Sequence, residues 1–265
     1  MMLRLALRNG SGIGESRERL VKGLLVLTGV LVAIGIGELG ARVLPPKWLS
    51  IRMRELRVVG DVFRVKMIGA GMTHGRIIIE GNAGMHLGAA MSGGEILVEG
   101  NAADWVGSGM LGGRIVVKGN AGHLVGSALR GESVGNRGGE IIIHGNTGNE
   151  IGSGMRRGLV AVGGNSGDFT GVNMLAGTVV VLGRLGIRTG AGMKRGTVAS
   201  CQPAELLPTF SYACTYRPVA LRLVLGYLRG RGLTITKEQF AGRYRRWSGD
   251  GIETSRGEIL LLEEG

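Results

Sequence analysis

A sequence motif of 19 residues, called the phrase below, repeats along the chain between Gly69 and about Ala199. This period restricts the folds that the chain can adopt. The phrase is roughly G-x-x-M-x-x-G-x-I-x-V-x-G-N-A-G-x-x-V. Its methionine recurs at intervals of 19, 19, 19, 26, 19 and 19 residues, as Met72, Met91, Met110, a substituted Leu129, Met155, Met174 and Met193. Its asparagine keeps the same count, as Asn82, Asn101, Asn120, Asn146, Asn165 and a substituted Arg184. Two residue types that share one period and one insertion indicate a solenoid.

Each repeat contains one short run of alternating β-branched residues, such as Ile77/Ile79 or Val179/Val181. Alternation at period two indicates a strand with one buried face, and glycine flanks every run. One coil cannot bury its apolar face alone, whereas six or seven stacked coils can. We therefore predict an all-β fold, namely a single-stranded right-handed parallel β-helix of about seven 19-residue coils with a C-terminal capping helix.

The repeated glycine, asparagine and methionine residues have predicted structural roles. The 52 glycines supply the positive φ angles of tight corners. Asparagine tolerates left-handed backbone and bonds nearby backbone groups, so we predict an internal amide ladder at a corner; a ligand-binding stripe is the alternative. The methionine row is predicted to fill the core rather than to bind a metal. Helix patterns do not follow the G-x-G strings, which excludes dinucleotide-binding loops.

The composition indicates an acidic partner in a reducing compartment. The formal net charge is +12, and the chain lacks an aromatic-plus-basic nucleic-acid module. We therefore predict contact with an acidic protein subunit or ligand, no nucleic acid, and a cytoplasmic location. Two cysteines, Cys201 and Cys214, are too few for an iron–sulfur cluster and are predicted to be free thiols. The four histidines occupy different repeat slots and suggest no metal site: His74, His86, His123 and His144.

The repeat divides the chain into three predicted segments: an N-terminal apolar and strand segment (1–59), the solenoid (60–200) and a C-terminal cap with an amphipathic basic helix (201–265). Alternating leucines predict a strand near residues 3–7. The apolar stretch 20–37 has a charge-free core shorter than the ~20 residues that span a bilayer, and basic residues precede it. A buried element, a membrane anchor and a cleaved signal all remain open for this stretch.

Two further features lie outside the regular repeat. The insertion 131–137 is predicted to leave the solenoid at a corner, where Glu132 and Arg137 either contribute to a site or belong to a plain surface loop. A helix is predicted from about Pro218 to Arg229, because apolar residues recur there at helical spacing. We expect this helix to cover the open end of the solenoid, where strand edges and core would otherwise be exposed.

Residues 217–247 contain eight basic residues and one acidic residue, Glu238. We predict that this cluster contacts the acidic partner, with a solvated basic face as the alternative. The predicted contact residues are Arg217, Arg222, Arg229, Arg231, Arg243, Arg245 and Arg246. The sequence shows no nucleophile–base pair, no carboxylate pair and no metal cluster, so no catalytic or metal-binding residue is predicted and the cofactor-binding residues remain unknown.

The repeat resembles that of the C subunit of formylmethanofuran dehydrogenase, and more closely that of the C subunit of the related bacterial formyltransferase/hydrolase complex. The resemblance covers about residues 60–262, whereas the first 55 residues depart from the family pattern. The repeat alone also occurs in the C-terminal G-x-G-x-G domain of glutamate synthase. The blocks that carry the resemblance are 155–158, 174–183, 193–197, 207–210, 243–250 and 256–260.

The resemblance implies a complex of one-carbon metabolism. The archaeal form interconverts carbon dioxide and formylmethanofuran; the bacterial form passes a formyl group from formyl-tetrahydromethanopterin to a methanofuran-type cofactor and hydrolyses it to formate. Other subunits carry the chemistry, with an amidohydrolase metal site and, in the archaeal enzyme, a tungsten or molybdenum pterin. The resemblance therefore implies a non-catalytic scaffold that binds no cofactor directly and whose partners are those subunits.

Several interpretations stay open beside this one. The tail block favours the bacterial complex over the dehydrogenase. Because methanofuran-type cofactors carry glutamate tails, the basic C-terminal residues are a hypothetical guide for such a tail. The alternatives in other classes are a structural domain related to that of glutamate synthase and an independent β-solenoid, tethered to a membrane through residues 20–37.

Overall fold

The computed structural model describes residues 4–8, 26–27, 30–31 and 55–263. Most of the apolar stretch 20–37 lies outside the described residues, so the three interpretations of that stretch stay predictions. Two short strands inside it, Val26–Leu27 and Val30–Leu31, pair with each other in antiparallel fashion. Among the described residues, no helix combines the length and the hydropathy needed to cross a membrane.

The described chain forms strands in regular succession and two helices near its end. The strands are β1 (Arg4–Arg8), β2 (Val26–Leu27), β3 (Val30–Leu31), β4 (Glu55–Val59), β5 (Arg76–Glu80), β6 (Glu95–Val98), β7 (Arg114–Val117), β8 (Arg137–Ile143), β9 (Arg157–Val162), β10 (Thr178–Val181), β11 (Arg195–Ser200), β12 (Ser211–Tyr216), β13 (Tyr244–Gly249) and β14 (Arg256–Leu262). The helices are α1 (Val219–Gly230) and α2 (Lys237–Ala241).

One sheet of twelve strands runs along the molecule. Each strand from β4 to β11 pairs in parallel with the next, and β14 continues the stack in parallel with β11. At the two ends of the sheet the pairing turns antiparallel, with β1 on β4 and with β13 and β12 beyond β14. The nine parallel strands enclose about eight turns. The predicted parallel β-solenoid is therefore confirmed.

The 19-residue period sets the register of the stack. Ile77 pairs with Ile96, and Ile96 pairs with Ile115 in the next coil. Ile115 pairs with Ile141 although 26 residues separate them, so the chain returns to register after the insertion. These side chains and the methionine row are buried in one continuous core. All six methionines of that row are at most 1% exposed, which confirms their role as core filler.

The outward positions of the strands are also apolar from the middle of the solenoid onward. Val116, Ile142 and Val180 form a second buried cluster, which includes the α1 side chains Leu221, Leu225 and Leu228. The predicted helix is confirmed, but it lies against the side of the solenoid rather than over its open end. The reason is that these strands are apolar on both faces, so their outer face needs a cover of its own.

A loop closes the C-terminal end of the core instead. Phe210 is 4% exposed and packs in the inner cluster with Ile259. Leu206, Leu207 and Trp247 pack against the same cluster and are half-buried. The core residues of the last coils are therefore covered by the segment before β12 and by β13.

The asparagine row forms a ladder, but on the surface rather than inside. Oδ1 of Asn82 accepts the backbone N–H of Asn101 at 2.9 Å, and Oδ1 of Asn120 accepts that of Asn146 at 2.7 Å. Asn101, Asn120, Asn146 and Asn165 are exposed, so the prediction of an internal position was wrong. Because the acceptors bond the backbone of the next coil, the row links successive coils and the structural interpretation of the row is supported.

Candidate partner-binding surface

The left-handed backbone conformation occurs at a different position of the repeat from the asparagines. This position holds one residue per coil with φ between 57° and 62°, namely Met67, His86, Trp105, Leu124, Glu150, Phe169 and Arg188. Two pairs of these side chains contact each other: the His86 and Trp105 ring centroids are 5.1 Å apart, and the Arg188 guanidinium carbon lies 5.4 Å from the Phe169 ring centroid. Partial burial, and then the charges of Lys66 and Arg130, lower the pKa of His86.

The four histidines have separate neighbours, as expected from their different slots. His74 bonds the Thr73 hydroxyl through Nδ1 at 2.8 Å, and Nδ1 of His123 accepts the backbone N–H of Asn149 at 2.9 Å. His144 is half-buried beside Gly232, and partial burial followed by the charge of Lys118 lowers its pKa. Within residues 55–263, no group of three or more His, Cys, Asp or Glu side chains is placed to hold a metal ion.

The two cysteines are separate free thiols, as predicted. Cys201 is buried, and burial raises the pKa of its thiol to about 11, so the reactive thiolate is suppressed at neutral pH. Its Sγ lies 3.8 Å from the Tyr244 hydroxyl. Cys214 is exposed on β12.

The insertion pairs its own charges. The Arg137 guanidinium lies 3.0 Å from the Glu132 carboxylate, and both side chains are exposed. Asn136 is buried, and its backbone N–H donates to the Gly126 carbonyl at 2.9 Å. The structure therefore holds the loop against the solenoid and brings Glu132 and Arg137 to each other, not to another titratable cluster.

A charge ladder that sequence reasoning missed leads along the sheet to α1. Nitrogen–oxygen distances are 3.7 Å from Arg76 to Glu55, 3.3 Å from Arg76 to Glu95 and 3.5 Å from Arg114 to Glu95. Arg114 also bonds Glu140, which completes an alternating row of five residues. The sequence contains the pattern that predicts this ladder, because glutamate and arginine alternate at one position of the repeat.

Tyr227 connects this ladder to α1. Its hydroxyl accepts from the Arg114 guanidinium at 3.2 Å and donates to the Glu140 carboxylate. Charge-assisted hydrogen bonds of this kind are stronger than neutral ones. The helix is therefore fixed to the solenoid by polar contacts at Tyr227 as well as by its apolar face.

The predicted basic cluster separates into two groups. On and beside β13, Arg243 lies 3.4 Å from Glu263, and Arg246 lies 2.8 Å from Glu258, so both have carboxylate partners within the chain. Arg245 and Arg217 are exposed. The β13 group is therefore less available to an external acidic partner than its sequence suggests.

The group around α1 is held by aromatic rings instead. The guanidinium carbons of Arg222 and Arg229 lie 5.2 Å and 4.7 Å from the Phe240 ring centroid, and that of Arg231 lies 4.9 Å from the Tyr227 ring. Among residues 55–263, these three arginines form no ion pair with a carboxylate. Arg222 and Arg229 are exposed and Arg231 is half-buried, so the positive charge of this group lies at the surface without a carboxylate partner among these residues.

Comparison with known proteins places this arrangement in a family. Residues 58–205 match the family model described as GXGXG motif. No curated protein sequence matches the chain. One chain of the crystal structure of the formyltransferase/hydrolase complex (FhcABCD) from Methylorubrum extorquens, in complex with methylofuran, is 35% identical with a TM-score of 0.72. The match covers 78% of this chain and 78% of that chain.

The fold and the matched repeat define the class as a G-x-G-x-G β-solenoid. The chain belongs to the GXGXG motif family, and within it to the group that contains the C subunit of formyltransferase/hydrolase complexes. The resemblance that the repeat and its flanking blocks indicated is thereby confirmed.

Proposed function

We propose that this chain is a non-catalytic scaffold subunit of a formyltransferase/hydrolase complex. The observation that carries the proposal is the 35% identity over 78% of both chains to a chain of such a complex. In the proposed complex other subunits transfer the formyl group from a tetrahydromethanopterin carrier to a methanofuran-type cofactor and release it as formate. The same match favours the transferase/hydrolase over the dehydrogenase.

The scaffold role is supported by the structural use of the repeated residues. The methionines fill the core, and the asparagines bond the backbone of neighbouring coils. Stacked coils in a continuous sheet form an elongated rigid body. Such a body suits a subunit that holds two enzymes at a fixed separation.

The structure reduces the number of arginines that could guide the glutamate tail of a cofactor. Arg243 and Arg246 already have the carboxylate partners Glu263 and Glu258. Reversing their charge would disturb those internal pairs as well as any tail. Arg245, which is exposed and has no carboxylate partner among residues 55–263, is the residue whose reversal reports on an acidic tail. Unchanged cofactor affinity in Arg245→Glu would contradict the hypothesis.

The test of the proposed function is purification of the full tagged chain from its native host, with mass spectrometry of the proteins that accompany it. We expect amidohydrolase-like and formyltransferase-like subunits in amounts comparable to the tagged chain. The absence of an iron–sulfur subunit would select the transferase/hydrolase, and its presence the dehydrogenase. A chain that purifies alone would contradict the scaffold role. The matched control is the same host carrying the tag on an unrelated protein.

A further inference from the structure

Helix α1 has a second row of apolar side chains, on a flank that its buried leucines do not occupy. Leu221, Leu225 and Leu228 are buried against the sheet. Val219 and Leu223 are 70% and 72% exposed. These two residues and Tyr227 follow one another at intervals of four, so they lie along one flank of the helix. Val219 and Leu223 therefore present apolar side chains to solvent, and Tyr227 ends the row next to the solenoid, where its hydroxyl bonds Arg114 and Glu140.

This row is unusual for a surface helix. A single exposed leucine needs no explanation, whereas adjacent exposed apolar residues on one helix flank indicate an interaction surface. Among the exposed large apolar side chains of residues 55–263, only Ile252 is more exposed than Leu223. Tyr227 ends the row, and tyrosine is enriched at the energetically important positions of interfaces.

Arginines border the row. At 100° per residue, Arg222 and Arg229 lie on one flank of the helix, and Arg231 stacks on Tyr227 at its end. The three guanidinium groups already rest on aromatic rings, so little side-chain freedom remains to be lost on binding. Residues 206–237 contain five basic residues and no aspartate or glutamate. The surface therefore attracts carboxylates.

We infer that Val219, Leu223 and Tyr227, with Arg222, Arg229 and Arg231, form a docking face for another subunit of the complex. This inference rests on the proposed function. The partner surface has an apolar groove that receives Leu223, and aspartate or glutamate side chains at its border meet the arginines. We call these six residues the α1 docking face.

Two other binding partners, a second copy of the chain and its own N-terminal segment, match the charge of the α1 docking face less well. A second copy of the chain would bring the same three arginines against each other, and like charges oppose association. The N-terminal segment 9–54 contains seven Lys or Arg and three Glu, so it is basic too. In addition, β1 pairs with β4, at the end of the sheet opposite to β12. The charge of the α1 docking face selects an acidic subunit.

A photo-crosslinking amino acid at position 223, in the full chain in its native host, tests the inference directly. We expect a cross-link to a peptide of a co-purifying subunit, with aspartate or glutamate beside the attachment point. The control places the same amino acid at Ile252, which is 80% exposed in the turn before β14, and should not label that peptide. A cross-link from position 223 to residues 9–54 or to a second copy would overturn the inference.

Charge introduction gives a second readout. Leu223→Glu places a carboxylate in the apolar row, and we expect recovery of the partner subunit to fall by about ten-fold or more, as at an interface hot spot. Ile252→Glu should leave recovery unchanged, and both variants should melt like the wild type. Full recovery with Leu223→Glu would refute the docking face while the proposed function stands. If the wild type recovers no subunit, the proposed function itself fails, and the docking face with it.

Discussion

The backbone N–H of Asn120 donates to Oδ1 of Asn101 at 2.8 Å, across the boundary between two coils. The same bond recurs from Asn101 to Asn82 and from Arg184 to Asn165. In five successive coils a backbone donor is thus satisfied by a side chain that the preceding coil supplies. Neighbouring coils therefore hold each other through polar contacts on the rim as well as through the core.

Asn101→Ala should weaken this link. The Asn120 N–H would lose its acceptor but remain near solvent, so we expect a loss of about 0.5–1.5 kcal/mol in the free energy of unfolding. Urea unfolding followed by circular dichroism measures the change. The control is Glu99→Ala, an exposed position two residues away, which should change the midpoint little. Equal effects at the two positions would show that the ladder does not stabilise the coils.

Truncating a methionine of the core row should lower the free energy of unfolding much more than Asn101→Ala does. Met110 is 0% exposed in the core, and Met110→Ala should reduce stability by about 2–5 kcal/mol through lost burial and the cavity that remains. Met67, outside the row, is 52% exposed, so Met67→Ala should change stability by less than about 0.5 kcal/mol. Thermal and urea unfolding of the two variants compare the sites. A small effect at Met110 would contradict the core assignment.

Two leucines of α1 test which face of the helix is buried. Leu225 is fully buried against the sheet and Leu223 is exposed. We expect Leu225→Ala to lower the free energy of unfolding by about 2–5 kcal/mol and Leu223→Ala to have little effect on the isolated chain. Urea unfolding of the isolated variants measures both changes. If the two variants unfolded alike, the helix would not cover the side of the solenoid as described.

Asp250 should make stability depend on acid pH. Burial opposes its ionisation, but the backbone N–H groups of Gly192 and Ile252 donate to its carboxylate at 2.9 Å and 3.1 Å, and the pKa lies below the ordinary value of 3.8. The unfolded chain therefore binds this proton more readily than the folded chain. The stabilisation is complete above that ordinary value and is lost as the pH falls through the folded pKa.

The variant Asp250→Asn checks the sign of this dependence. It should melt below the wild type at pH 7, and the gap in Tm should narrow between pH 5 and pH 3. A gap that stays constant down to pH 3 would contradict the proposed role of the Asp250 carboxylate.

The inner core was predictable because every coil repeats it. Residues such as Ile77 and Met91 recur at a fixed interval, so their shared burial follows from stacking alone. The predicted position of α1, over the open end of the solenoid, was wrong, because alternation of apolar residues was interpreted as a strand with only one buried face. Ile142, between Ile141 and Ile143, is apolar and buried on the outer face. A strand with three consecutive isoleucines indicates burial on both faces, and therefore a helix along the side.

The sequence also does not predict that the basic cluster divides into a β13 group and an α1 group. Arg246 and Glu258 are twelve positions apart, and they meet because β13 and β14 are antiparallel neighbours in the sheet. Proximity along the chain groups Arg246 with Arg222, whereas the fold gives one a carboxylate and the other an aromatic ring. Pairings of this kind depend on the register of strands outside the repeat, which no period specifies.

Omission of this chain from the complex tests the scaffold role most directly. The remaining subunits would be purified from a host in which the chain is deleted, and their masses measured by native mass spectrometry. We predict that the amidohydrolase-like and formyltransferase-like subunits separate and that adding back the full chain rejoins them. If they remain one assembly with undiminished formyl transfer and hydrolysis, the chain is not the scaffold of the complex.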